Sequence, residues 1–161
     1  METNVQSNRP RPTRIVGIDF GLARIGIALS DEQKIIATPL TTFKAFKRTE
    51  ETVLKLAEEL KRHAESNRYD IAEIVIGLPL MMSGKQGFLA DEVVHFVSLL
   101  KNYFNIPIVT WDERLTSVQA DRSLRESSLS RKRRAKAVDA VAAIIILQSY
   151  LDSKRFEKNA I

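Results

Sequence analysis

Arg14-Ile15-Val16-Gly17-Ile18-Asp19-Phe20-Gly21, followed two residues later by Arg24-Ile25-Gly26-Ile27-Ala28-Leu29, decides how the chain folds. The first run is apolar through Ile15, Val16 and Ile18 and turns abruptly charged at Asp19, the pattern of a buried strand that ends on a carboxylate. Gly21 permits a tight turn, and the second run follows at once. Ser30-Asp31-Glu32-Gln33 supplies another turn into a third run, Lys34 to Thr42. No helix fits between these runs, so they are expected to form an antiparallel meander.

Downstream the period changes. Val53, Leu56, Ala57, Leu60 and Ala64 recur at helical spacing behind Thr49, an expected cap, with Glu50 and Glu51 in the first turn. Ile71 to Leu78 reads as a fourth strand closing on Gly77-Leu78-Pro79, and Leu89, Val93, Phe96, Val97, Leu100 and Phe104 mark a second helix. Pro107 stops it and opens a strand, Ile108 to Trp111, that runs into Asp112-Glu113-Arg114. Thr116 with Gln119 makes a capping box for a short helix, Ser127 to Ser130 reads as loop, and Ala135 to Leu151 is a helix apolar almost all round. Strands that run consecutively and then alternate with helices predict a mixed α/β sheet covered by helices. One domain over residues 13–152 is expected, with tails at 1–12 and 153–161.

The 161 residues, 44% hydrophobic, suffice for one core. No apolar run reaches the roughly 20 residues of a membrane span, so a soluble, cytoplasmic protein is expected. The absence of cysteine excludes disulfides, thiolate nucleophiles and thiolate-rich metal sites. The formal charge of +5 is concentrated. Between Arg114 and Lys136 eight basic residues face two acids, a local excess of +6. A basic segment of this kind suits nucleic acid, although a solvated loop has the same composition.

Asp139 is the carboxylate of the last apolar helix, flanked by Val138, Val141, Ala142 and Ala143. A lone buried carboxylate costs several kcal/mol unless it is paired or binds a cation. It either joins a metal site or pairs with Arg134 or Lys136. Asp19 either binds a ligand or bonds turn amides near Gly21. Ligands of open α/β sheets gather beyond the carboxyl ends of strands, and both Asp19 and Asp112-Glu113 sit at such ends. Because strand side chains alternate, Asp112 and Glu113 are expected on opposite faces, with Glu113 the favoured ligand and Asp112 supporting or alternative. Carboxylate oxygens without cysteine suit Mg2+ or Mn2+, as a pair of ions about 4 Å apart that cleaves a phosphodiester. His63 and His95 are read as helix surface residues. Arg131-Lys132-Arg133-Arg134, read as preceding the last helix, together with Lys136 and Arg114, is positioned to hold phosphates. The amides of Leu80-Met81-Met82-Ser83-Gly84-Lys85 and the Lys85 side chain are a weaker anion site.

With Gly17-Ile18-Asp19-Phe20-Gly21, Gly77-Leu78-Pro79-Leu80, Asp112-Glu113-Arg114-Leu115-Thr116 and Val138-Asp139-Ala140 in this order, the chain resembles the bacterial YqgF family, also called RuvX. That family is described as Holliday junction resolvases and as nucleases maturing pre-16S ribosomal RNA. The resemblance spans roughly Arg14 to Leu151. It implies an RNase H-like fold, a five-stranded mixed sheet whose second strand is antiparallel, and catalytic, metal-binding carboxylates at Asp19, Glu113 and Asp139. It also implies a nucleic-acid partner, precursor rRNA in the small-subunit precursor or branched DNA, and a monomer or a two-fold dimer. Met81 and Ser83 stand where the family pattern has Asn and Asp. Two other readings compete: an actin-like ATPase using Asp19-Phe20-Gly21 as a phosphate turn, which would need a second domain, and a non-catalytic rRNA-binding assembly factor.

Overall fold

The computed structural model describes residues 9–115 and 131–159, apart from the side chains of 131–139 and 158–159. Three consecutive strands, β1 (Thr13–Asp19), β2 (Arg24–Ser30) and β3 (Ala37–Lys44), form the meander, and β4 (Asp70–Leu78) and β5 (Ile108–Asp112) complete the sheet. Its order is β3-β2-β1-β4-β5. β2 runs antiparallel to both neighbours, whereas β1, β4 and β5 are mutually parallel. The helices are α1 (Thr49–Ser66), α2 (Phe88–Leu100) and α3 (Arg131–Asn159). This is the RNase H-like arrangement, a mixed five-stranded sheet with helices on both faces.

Two apolar layers divide the sheet. Val16, Ile18, Ile25, Ile27, Ile74 and Ile76 face the buried stripes of α1 and α2, where Leu56, Leu60, Phe96 and Leu100 are essentially inaccessible. The alternate residues Ile15, Ala28, Ala37 and Val75 face Ala143, Ile146, Leu147 and Tyr150 of α3. The close seat of α3 depends on glycine: a Cβ on Gly17 would stand 2.6 Å from Leu147 Cβ. Gln148 fixes the same helix to the far edge, accepting the Ala37 N–H at 3.0 Å and donating to the Ile35 carbonyl at 2.9 Å.

Several boundaries differ from the sequence reading. Thr49 is the first helical residue and not the cap; Arg48 occupies that position without a side-chain cap bond. Thr52 does the work instead, its hydroxyl accepting the Phe46 N–H at 2.9 Å and donating to the Arg48 carbonyl at 3.1 Å. The last helix is longer at both ends than Ala135 to Leu151, because four basic residues and the 153–159 stretch are all compatible helix formers. Arg131 to Arg134 therefore belong to its first turn and do not precede it, and residues 153–159, expected as a tail, continue it. At the other end Arg11 pairs with Glu65 at 2.7 Å and the Pro12 carbonyl accepts the Asp70 N–H at 2.9 Å, so residues 11 and 12 are tied to the domain. The capping box at Thr116 and Gln119 and the loop 127–130 lie outside the described residues. Among the described residues no helix is long and apolar enough to cross a membrane.

Candidate active site

Alternation along β1 puts Asp19 on the same face as Ile15 and Gly17, the face covered by α3. On β5 the same face carries Val109 and Trp111, and Glu113 follows them in register. The strand ends at Asp112, and Glu113 opens a 3-10 turn, Glu113–Leu115. Between the two lies β4, whose Gly77 leaves room for both neighbours: a Cβ there would come within 2.6 Å of Glu113 Oε1 and closer still to Ile146 Cδ1. The glycine makes the pocket in which the Glu113 carboxylate lies against the sheet.

Burial and mutual repulsion act on this pair. Burial raises the Asp19 pKa above the ordinary carboxylate range. Glu113 is pushed up to about 7, first by burial and then by the negative charges of Asp19 and Asp112. A carboxylate at such a value exchanges its proton near neutrality and gains from any cation placed between it and its neighbour.

Asp112, on the other face, does something different. Its carboxylate receives a fork from Arg114 Nε and Nη2, at 3.0 and 2.7 Å, and the Arg114 backbone N–H at 3.0 Å. That bonding holds the Asp112 pKa below its ordinary value, and it orients the guanidinium. Arg114 Nη1 stands over the Gly84 loop, 3.7 Å from where a Cβ of Gly84 would be.

The loop after β4 is a closed hairpin. Leu80 bridges Gln86, the Met81 N–H donates to the Lys85 carbonyl at 3.0 Å, and the Gly84 N–H donates to the Met81 carbonyl at 2.8 Å. The Lys85 N–H also donates to Ser83 Oγ at 3.4 Å, so three of the amides expected to face an anion are already committed, while the Lys85 side chain is exposed. Gly84 adopts φ +83°, which the turn requires of a residue without Cβ.

Asp139 lies in α3, one turn before Ala143, whose carbonyl is 3.2 Å from the place a Gly17 Cβ would take. α3 runs antiparallel to β1 and β4, with Tyr150 bonded to Glu73 near the start of β4 and Ile146 over Gly77 near its end. The backbone of residue 139 is therefore carried toward the Asp19 end of the sheet. The side chains of Asp139, Arg131, Lys132, Arg133, Arg134 and Lys136 lie outside the described residues. Among the described residues no group of three acids or histidines forms a ready metal cluster. His63 is not simply a surface residue, because its Nδ1 lies 2.8 Å from the Tyr69 hydroxyl, and His95 is exposed and sits 4.0 Å from Glu50.

Sequence reasoning missed the part played by Gly77. It stood there as the end of a strand and as part of a family motif, with no structural task, yet a glycine two residues after buried Val75 on the α3 face is a signal that something must approach the backbone there.

A mixed sheet with facing carboxylates at the ends of its central and edge strands defines the RNase H-like class. Among solved structures, the fold is similar to that of Thermus thermophilus RuvC in complex with a Holliday junction substrate, with a TM-score of 0.60 and 13% identity, over 89% of this chain and 96% of that one. It is also similar to the fowlpox virus Holliday junction resolvase, with a TM-score of 0.53 and 16% identity, over 87% and 99% of the two chains. Residues 13–153 match the family model described as RuvX: Holliday junction resolvase. A protein of Protochlamydia amoebophila named "Putative pre-16S rRNA nuclease" is 63% identical over 91% of this chain and 98% of its own length. A Clostridium acetobutylicum protein of the same name is 46% identical over 87% and 98%. The chain belongs to the RuvX family.

Proposed function

We propose that this chain is a metal-dependent endonuclease that hydrolyses phosphodiester bonds in structured nucleic acid, and that its substrate is the 5' end of pre-16S ribosomal RNA. The observation that carries the reading is the pairing of Asp19 with Glu113: two partly buried acids on one face, the second raised to about 7 in part by the charge of the first. The choice of precursor rRNA is supported by the names of the relatives.

An all-oxygen pair whose members repel one another fits a hard divalent cation, Mg2+ or Mn2+, which would relieve the repulsion. Asp19, Glu113 and Asp139 would hold it, and two ions would need all three. When bound, such a cation supplies a Lewis acid for water and for the phosphate oxygens. The chain's own groups then have separate tasks. Gly77 and Ile146 seat the Glu113 carboxylate, Asp112 orients Arg114, and Arg114 Nη1 together with Lys85 offers donors to a phosphate beside the scissile bond. Arg131 to Arg134 and Lys136, in the first turns of α3, would supply further cations for the same phosphate backbone.

A second reading, symmetrical cleavage of a four-way DNA junction, is favoured by the description of the matching family model. It requires a two-fold dimer, whereas trimming of RNA does not. Side-by-side cleavage of a precursor rRNA fragment and a four-way junction with Mg2+ or Mn2+, with the solution mass of each complex, tests both. Cleavage of the RNA alone by a monomer is expected. Cutting of neither by pure protein, with both still bound, would leave an assembly factor that only binds rRNA and overturn the proposal.

A further inference from the structure

The carboxylate face continues past Asp19 in the direction away from Glu113. Asp19 is the direct partner of Gly26 on β2, and two residues back along the same face is Arg24, which lies directly opposite Lys44 on β3. Across the carboxyl end of the sheet the α3 face therefore reads Lys44 on β3, Arg24 on β2, Asp19 on β1 and Gly77 on β4, with Glu113 just past the end of β5.

The chain adds to this charge immediately. Lys47 and Arg48 follow Lys44 in the corner between β3 and α1, with exposed Phe46 between them. Lys44, Lys47 and Arg48 enter no ion pair among the described residues, and nearby Glu50 faces His95 instead. The corner is not slack. The Ala45 N–H donates to the Ala23 carbonyl at 2.9 Å, the Phe46 N–H to Thr52 Oγ1 at 2.9 Å, and the Thr52 N–H to the Arg48 carbonyl at 3.1 Å. Exposed cations held close together on a pinned backbone form a preorganised site for a polyanion.

We infer that Lys44, Lys47 and Arg48 form a second phosphate-binding surface on the β3 side of the carboxylates, opposite Arg114 and Lys85. This deepens the nuclease reading and rests on it. Neighbouring strands are about 4.8 Å apart, so the surface begins roughly 10 Å from β1, a distance spanned by two or three phosphates of one strand. The substrate is then gripped on both sides of the bond to be cut, and its phosphodiester backbone, in RNA or DNA, is what the corner recognises.

The test is the salt dependence of binding, by fluorescence anisotropy in EDTA so that nothing is cut, on a precursor rRNA fragment and on a four-way DNA junction. The variants are Lys44→Gln/Lys47→Gln/Arg48→Gln, each single change, a charge-conserving Lys44→Arg/Lys47→Arg/Arg48→Lys control, and Lys154→Gln/Arg155→Gln at the far end of α3. The triple neutral variant is expected to flatten the slope of log K against log salt by about 2, each single change by about 0.7 to 0.9, and the two controls not at all. The single variants keep the test decisive should the triple one unfold. An unchanged slope, or an equal loss from the Lys154 and Arg155 control, would overturn the inference while leaving the nuclease reading intact. Failure of the unaltered protein to bind either substrate would overturn both.

Discussion

Asp19 and Glu113 face each other across Gly77, and the negative charge of Asp19 helps to raise the Glu113 pKa to about 7. The sheet has brought together two acids that repel in the absence of a cation. The folded state thereby stores a pH dependence that the unfolded chain lacks.

The sign of that dependence follows from linkage. Folding raises the Glu113 pKa from an ordinary 4.5 to about 7, so the folded state holds the proton more tightly. Its contribution to stability is present below pH 4.5 and is lost as the pH rises through 7. Metal-free protein is expected to lose on the order of 1 kcal/mol between pH 5 and pH 8, after allowance for partial exposure of the group. Thermal melts in EDTA check this. Glu113→Gln should flatten the profile over the same range, and saturating Mg2+ should raise the melting temperature most at the alkaline end, where both acids are ionised. A profile rising with pH through this window would contradict the pairing.

Asp112 and Glu113 are neighbours in sequence with different expected roles. Glu113→Gln removes an acid from the facing pair and is expected to lower cleavage more than about 100-fold, with nucleic-acid affinity in EDTA unchanged. Asp112→Asn loosens the fork that orients Arg114 and is expected to cost about tenfold or less, expressed mainly in KM. Asp19→Asn should behave like the Glu113 variant. Single-turnover cleavage of precursor rRNA by the three purified variants, beside binding isotherms, separates these outcomes. Comparable rates for Glu113→Gln and the unaltered protein would remove Glu113 from the site.

Gly77→Ala tests the seat of the carboxylate without touching an ionisable group. Its methyl group would press on Ile146 Cδ1 and Glu113 Oε1 together. A loss of about 1–3 kcal/mol in denaturant unfolding is expected, because overpacking forces neighbours off their rotamers. A fall in cleavage larger than the stability loss explains is also expected, since Glu113 is displaced as well. Normal activity would show that Glu113 tolerates another position.

The carboxyl ends of β1 and β5 were legible because a buried strand that ends abruptly on an acid leaves a sharp break in hydropathy. The antiparallel meander of β1, β2 and β3 was legible from the short gaps, which admit only hairpins, whereas the places of β4 and β5 beside β1 were not read from the sequence. The exchange of Thr49 for Thr52 as the residue satisfying the α1 entry was not legible, because the bond depends on where Phe46 turns and not on spacing along the helix. The start of α3 was misplaced for a related reason. A run of four basic residues was read as a loop, although Arg and Lys are good helix formers and their repulsion is spread over a full turn. The Arg24 and Lys44 opposition lay hidden in the sequence, since it exists only in the register of β2 against β3.

Gln148 offers a prediction about stability alone. Its side-chain amide serves two backbone groups where the β2–β3 turn runs into β3, accepting from the Ala37 N–H and donating to the Ile35 carbonyl. It is half-buried on the sheet-facing side of α3, so Gln148→Leu would leave a backbone N–H and a carbonyl without partners at the sheet edge. The cost is expected to be about 1–3 kcal/mol, the range for unsatisfied buried polar groups. Because these bonds lie toward the end of β3 remote from Asp19, cleavage per folded molecule should not change. Urea unfolding followed by an activity assay at a temperature well below the transition separates the two effects. Loss of activity without loss of stability would mean that α3 transmits its seating on β3 to the carboxylate end, a coupling that the rigid, glycine-seated contact of α3 with β1 argues against.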